Sequence, residues 1–106
     1  MCKISETNLS VELYMDTVIP DFLFEEATPY SIAKHLESEA TEIRDELLRI
    51  FTEKDESEGA KLALTDEIGD ALFCLCALMI KTGIKPSEVI QRNWVKLEGR
   101  LLNGKT

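Results

Sequence analysis

Glu39-Ala40-Thr41-Glu42 and Glu67-Ile68-Gly69-Asp70 stand on either side of the polar stretch Thr52-Glu53-Lys54-Asp55-Glu56-Ser57-Glu58-Gly59. Within each pair the acids are three residues apart, a spacing that puts both carboxylates on one face of a helix. The pairs are also placed symmetrically. Glu39 with Asp70, and Glu42 with Glu67, share the midpoint 54.5, inside the polar stretch. If the flanks are antiparallel helices of equal rise, Glu39 lies level with Asp70 and Glu42 with Glu67. Four carboxylates then converge between two helices. Like charges repel, and taking them out of water is costly unless a cation compensates. An all-oxygen donor set suits Mg²⁺, with Mn²⁺ as the alternative.

The flanks read as helices. Thr28-Pro29 supplies a cap and a proline at the first helical position, so the acid-bearing helix is predicted from Pro29 to Thr52. Its apolar positions Ile32, Leu36, Ala40, Ile43, Leu47 and Ile50 follow the three-four spacing of one face, with Glu39, Glu42 and Glu46 at the border. The next helix is predicted from Gly59 or Lys61 to Thr82, with Gly83 as a left-handed cap. Its expected seam is Leu64, Ile68, Ala71, Leu75 and Met79. Beyond Asp70 every residue through Ile80 is apolar, and a helix that is apolar all round must be covered on all sides. Upstream, Asn8 or Ser10 caps a short first helix through Val11, Leu13, Tyr14 and Val18, which Pro20 stops. Residues 21–27 read as a loop or a short turn. Downstream, Pro86-Ser87-Glu88 opens a last helix that ends near Gly104. It carries Val89, Ile90, Trp94, Leu97 and Leu101, and places Asn93, Lys96 and Arg100 on one polar face. The expected architecture is all-α: a four-helix-type bundle built on an antiparallel helical hairpin, forming one domain over residues 1–106. Covering the apolar helix calls for a homodimer or a higher assembly built on it.

Bulk properties narrow the function. Apolar content is 44%, too high for a disordered tail. The formal net charge of −8 disfavours nucleic-acid polymers and anionic membranes as partners. The longest apolar run, Ala71 to Ile80, is about half of a bilayer span. Of the cysteines Cys2, Cys74 and Cys76, the last two lie two apart on a helix and point apart, so they read as buried thiols. Together with an N-terminus that has no apolar signal core, this leads to an expected cytoplasmic location.

A carboxylate-held Mg²⁺ keeps positions open for water and phosphate oxygens. It polarises a phosphoryl group and makes bound water more acidic. Phosphate charge left over needs a donor face, and Asn93, Lys96 and Arg100 supply an amide, an ammonium and a guanidinium. Glu39-x-x-Glu42, then Glu67-x-x-Asp70 followed by an apolar helix, resembles the MazG-like branch of the all-α nucleoside triphosphate pyrophosphohydrolases. Asn93-x-x-Lys96-x-x-x-Arg100 resembles the same family's final helix. The likeness runs from about Ser31 to Arg100.

The resemblance implies a Mg²⁺-dependent enzyme, assembled as a homodimer or a dimer of dimers, that splits a (deoxy)nucleoside triphosphate into the monophosphate and pyrophosphate, cleansing or balancing the nucleotide pool. Glu39, Glu42, Glu67 and Asp70 match the family's metal ligands, with Glu42 and Glu39 as the catalytic carboxylates. Asn93, Lys96 and Arg100 match its phosphate- or sugar-contacting positions. One departure stands out. The family motif often reads Glu-Glu-x-x-Glu, and its first position here is Ser38. The water-activating role then falls to Glu42 or Glu46, or the metal count drops.

Other residues have plainer readings. His35, the only histidine, reads as structural or surface, Asp66 and Lys61 as surface, and Trp94 as core. Phe22, Phe24 and Tyr30 are core candidates that would also suit a nucleobase pocket, where aromatic faces stack on a base. Two alternatives remain. One is a non-catalytic helical oligomerisation module with a degenerate metal site. The other is the same site turned to phosphoribosyl-ATP.

Overall fold

A computed structural model describes residues 10–104. Five helices follow one another: α1 (Val11–Thr17), α2 (Ile19–Phe22), α3 (Pro29–Glu53), α4 (Glu58–Thr82) and α5 (Pro86–Leu102), with no strand among the described residues. The expected all-α class is met. Asn8 and Cys2 lie outside the described residues, and Ser10 is the cap of α1, its hydroxyl accepting from Leu13 N at 3.1 Å.

The ends of α3 and α4 follow local chemistry. Thr28 and Ser31 cap α3 reciprocally, each hydroxyl accepting the other's backbone N–H at 3.0 and 3.1 Å. Ser here does what Glu or Gln does in the usual capping box. The left-handed residue that closes α3 is Lys54, at φ 54°, rather than a glycine. Gly59 lies inside the first turn of α4, which Ser57 caps. Gly83 ends α4 at φ 71°, as expected. Pro20 does not stop the first helical segment outright. It occupies the first turn of α2, where a missing N–H costs nothing.

α3 and α4, each 25 residues, pack along one another. Helices of that length span about 37 Å. Joined through residues 54–57, they can lie side by side only by running in opposite directions. The other helices do less. α1 and α2 pack on α4, burying Met15 and Ile19 against Ile32, Cys74, Cys76 and Ala77. α5 has no extended contact with any other helix, so a four-helix bundle is not closed within one chain.

The seam on α4 is rotated from the sequence expectation. Ala60, Cys74 and Ala77 are buried and Glu67 half-buried, whereas Ile68, Leu72 and Leu75 are exposed. The reason is angular: Ile68 is about 100° round from Glu67, so a helix that turns Glu67 toward α3 turns Ile68 away. On α3, Glu39 is itself buried, inside the apolar stripe rather than at its border, while Ala40 and Leu47 are exposed. Trp94 is exposed on α5 instead of in a core.

The radius of gyration is 16.5 Å, where a compact chain of this length has about 13 Å. The accessible surface is 8462 Å², against roughly 6,000 Å² for a folded monomer of this mass. Leu72, Leu75, Val89, Ile90, Trp94 and Leu97 all stand exposed on α4 and α5.

Candidate metal centre and adjoining pocket

Opposite directions for α3 and α4 bring the two acid pairs together. One carboxylate oxygen from each of Glu39, Glu42, Glu67 and Asp70 lies within 4.8 Å of all the others. The sequence symmetry about residue 54.5 is thus realised in space. Glu39 is 8% exposed, and Glu67 is half-buried. Glu39 Oε2 and Glu67 Oε2 are buried with no hydrogen-bond partner. Buried polar atoms are nearly always partnered, and two orphaned oxygens in one cluster are groups that a cation could satisfy.

The electrostatics agree. Burial pushes the Glu39 carboxyl above its ordinary range; the adjoining Glu42 and Asp70 carboxylates add to the shift, and His35 opposes it. Burial also raises Glu67, with Glu42, Asp70 and Glu39 pushing the same way. Neighbouring groups feel the same charge. The Cys74 thiol is raised by burial and then by Glu39 and Asp70, so it stays protonated. Tyr14 is raised by burial, Cys76 and Asp70.

Ser38 is exposed, and the four acids converge without a contribution from its position. Glu46 is not one of the four. Arg49 Nη2 donates to Glu46 Oε2 at 2.7 Å, and the same guanidinium reaches Glu53 at 3.1 Å and Asp55 at 3.2 Å. This clamp holds the end of α3 to the turn, with Glu46 as one of its members. Sequence reasoning missed Arg49, although its three- and four-residue spacing to Glu46 and Glu53 was visible.

His35, read as structural or surface, is exposed on α3. Its Nε2 lies 3.0 Å from Glu39 Oε1, and the four-residue spacing on α3 was the available signal. Asn93, Lys96 and Arg100 are exposed on α5, outside the cluster. Within one chain the expected phosphate-binding face does not meet the acids, because α5 departs from α4 and packs along neither helix of the pair.

Beside the acids lies a cavity of about 490 Å³ lined by Phe22, Phe24, Ile32, His35, Phe73 and Cys74, among others. The segment between α2 and α3 forms one wall. Lys81 Nζ holds it to α4 by donating to the Glu25 carbonyl at 3.0 Å. Phe22 and Phe24 therefore do line a pocket, while Tyr30 stands outside it with Lys34 Nζ 6.0 Å from its ring centroid. Glu26, Ser31 and His35 supply polar groups at an otherwise apolar lining. The volume suits a small-molecule site.

A family model, the MazG nucleotide pyrophosphohydrolase domain, matches residues 27–103, most of the chain. The chain belongs to this MazG family. The matched span contains α3, α4 and α5, hence all four clustered acids and the three polar residues of α5. No curated protein and no solved structure matches the chain. As a MazG domain it is expected to act on nucleotides, and no helix among its described residues is long and apolar enough to cross a membrane.

Proposed function

We propose that this MazG domain is a Mg²⁺-dependent hydrolase that converts (deoxy)nucleoside triphosphates to the monophosphate and pyrophosphate. The observation that carries the reading is the pair of buried, unpartnered oxygens on Glu39 and Glu67 within the four-acid cluster. The donor set, all carboxylate oxygens, fits Mg²⁺ or Mn²⁺. Glu39, Glu42, Glu67 and Asp70 would hold the ion. When bound, it supplies Lewis-acid polarisation of a phosphoryl group and a more acidic water.

The chain's own groups divide the remaining work. Glu42 is the more exposed glutamate of α3 in the cluster, so it is the group placed to accept a proton from the attacking water. Water adds to phosphorus at the α–β anhydride, and the bridging oxygen leaves with pyrophosphate. The 490 Å³ cavity takes the base, with Phe22, Phe24 and Phe73 as apolar and stacking surface. Filling it removes water from the ring faces and orients the phosphates toward the acids.

The site is completed by a second copy of the chain. A groove lined by Val11, Leu72, Leu75, Met79, Val89 and Ile90 stands open between α4 and the start of α5. A stable dimer buries roughly 1,200–2,000 Å², which the excess surface of the single chain can supply. Such pairing would bring Asn93, Lys96 and Arg100 of one copy toward the acids of the other. Cytoplasmic nucleotide-pool cleansing or balancing is the role that fits this chemistry.

The test is a panel of canonical and modified nucleoside triphosphates with Mg²⁺. The expected products are pyrophosphate and the monophosphate, lost on chelation and in Asp70→Asn. Release of single phosphates with a diphosphate product would contradict the reading. Turnover of phosphoribosyl-ATP alone would move the substrate, and a folded chain with no turnover and no Mg²⁺ response would favour the non-catalytic module.

A further inference from the structure

His35 is the only histidine in the chain, and the reaction proposed above gives it no part. It sits one helical turn before Glu39, with Nε2 3.0 Å from Glu39 Oε1. The two oxygens of Glu39 are thereby divided: Oε1 lies against the imidazole, and Oε2 is buried with no hydrogen-bond partner. A carboxylate without such a contact can rotate or chelate through both oxygens. One held by an outer partner presents a single oxygen in a fixed direction.

The same imidazole lines the cavity together with Ile32, Phe73 and Cys74. Its side chain is 65% exposed, while the carboxylate it holds is 11% exposed. One end of the contact is therefore wet and the other dry. A planar ligand seated in the cavity would cover the imidazole, and excluding water strengthens an electrostatic contact.

The geometry points to His35 as a positioning and specificity residue that links two sites: it fixes Glu39 as a one-oxygen metal ligand and forms the boundary of the nucleobase pocket. This rests on the reading of the four acids as a metal centre. Occupancy of the pocket then favours occupancy of the metal centre, and by linkage the reverse holds equally. The rival account is an ordinary exposed helical pair, of small worth and without effect on either site.

Two substitutions separate the two faces of the residue. His35→Phe keeps a planar ring and removes the ring nitrogen that meets Glu39. His35→Gln keeps an N–H at similar reach and removes the ring. Mn²⁺ affinity is measured on the full chain by electron paramagnetic resonance, with Glu67→Gln as control. KM is measured for the four canonical deoxynucleoside triphosphates at saturating Mg²⁺. His35→Phe is expected to weaken Mn²⁺ binding by about tenfold or more, with KM within roughly twofold of wild type. His35→Gln is expected to hold Mn²⁺ within roughly threefold and to raise KM by about fivefold. Because His35 is exposed, both variants keep the fold, and their helical circular dichroism verifies it. His35→Phe with wild-type Mn²⁺ affinity would overturn the inference alone, as would equal changes in both variants. A wild-type chain that binds no Mn²⁺, or a Glu67→Gln chain that binds it equally well, would remove the metal reading and this inference with it.

Discussion

Between α3 and α4 the chain buries carboxylates; on the outer face of α4 and along α5 it exposes leucine, isoleucine and tryptophan. Each region inverts the usual distribution of polar and apolar groups. Among the described residues, two oxygens of the acid seam have no hydrogen-bond partner, and the apolar face has no apolar cover. Two regions of one helix, α4, carry the two opposite defects: Glu67 and Asp70 point to one side, Ile68, Leu72 and Leu75 to the other. The lesson is that burial alone does not identify a core. What matters is whether each buried group has found what its chemistry requires.

The sharpest way to break this comparison is to neutralise the seam. In Glu39→Gln/Glu67→Gln, pyrophosphate release should fall by at least about a hundredfold, equivalent to roughly 3 kcal/mol of barrier. In EDTA the same variant should melt higher than wild type, because the repulsion is gone. In Mg²⁺ it should gain nothing, whereas wild type should gain stability from an ion that binds only the folded chain. Calorimetric melts with and without Mg²⁺ check both signs.

Neutralisation has its counterpart on the other face. Leu75→Asp puts a charge where the second copy is expected to dock. Its dimer dissociation constant should rise by at least about tenfold in sedimentation, while the isolated chain keeps its helix content. A wild-type chain that sediments as a monomer would break this half of the comparison.

A subtler distinction comes from pH. The carboxyls of Glu39 and Glu67 are raised in the folded chain above their ordinary value of 4.5. Between that value and the raised ones, the folded state holds protons that the unfolded state has released. Their contribution to stability is therefore present at low pH and lost as pH rises through the folded values. The metal-free chain should show this relative to Glu39→Gln/Glu67→Gln, as a stability difference that narrows on acidification from neutrality toward the ordinary carboxylate value of 4.5. Saturating Mg²⁺ should remove the narrowing. The smallest effect is expected at the turn. Lys54→Gly relieves a left-handed position and should add about 0.5–1 kcal/mol, leaving metal affinity and association unmoved.

Much of this was legible in the sequence, for local reasons. The spacing within each acid pair, their symmetry about residue 54.5 and the caps at Thr28, Ser10 and Gly83 are short-range facts, and short-range chemistry decided them. The rotation of the α4 seam was not legible. Glu67 and Ile68 are neighbours in sequence and both plausible inward residues, and only the mutual approach of the acids chose between them. The pairing of His35 with Glu39, by contrast, was open to view in their four-residue spacing on α3. The position of α5 was not legible for a different reason: its apolar positions read as core, but α5 packs along neither helix of the hairpin and they stand exposed. The cavity came from Phe22 and Phe24 in a segment whose periodicity is too short to assign, held in place by Lys81 from far along the chain.

The turn at Lys54 also sets an order of events. All four acids lie within the span from Glu39 to Asp70, and their contacts form as α3 and α4 close outward from that turn. Glu42 meets Glu67 first, through the shorter loop, and Glu39 meets Asp70 after it, since closing a longer loop costs more entropy. The charge conflict is therefore met midway through the zipping of the hairpin. A divalent ion present at that moment would act on the rate of folding as well as on the finished site.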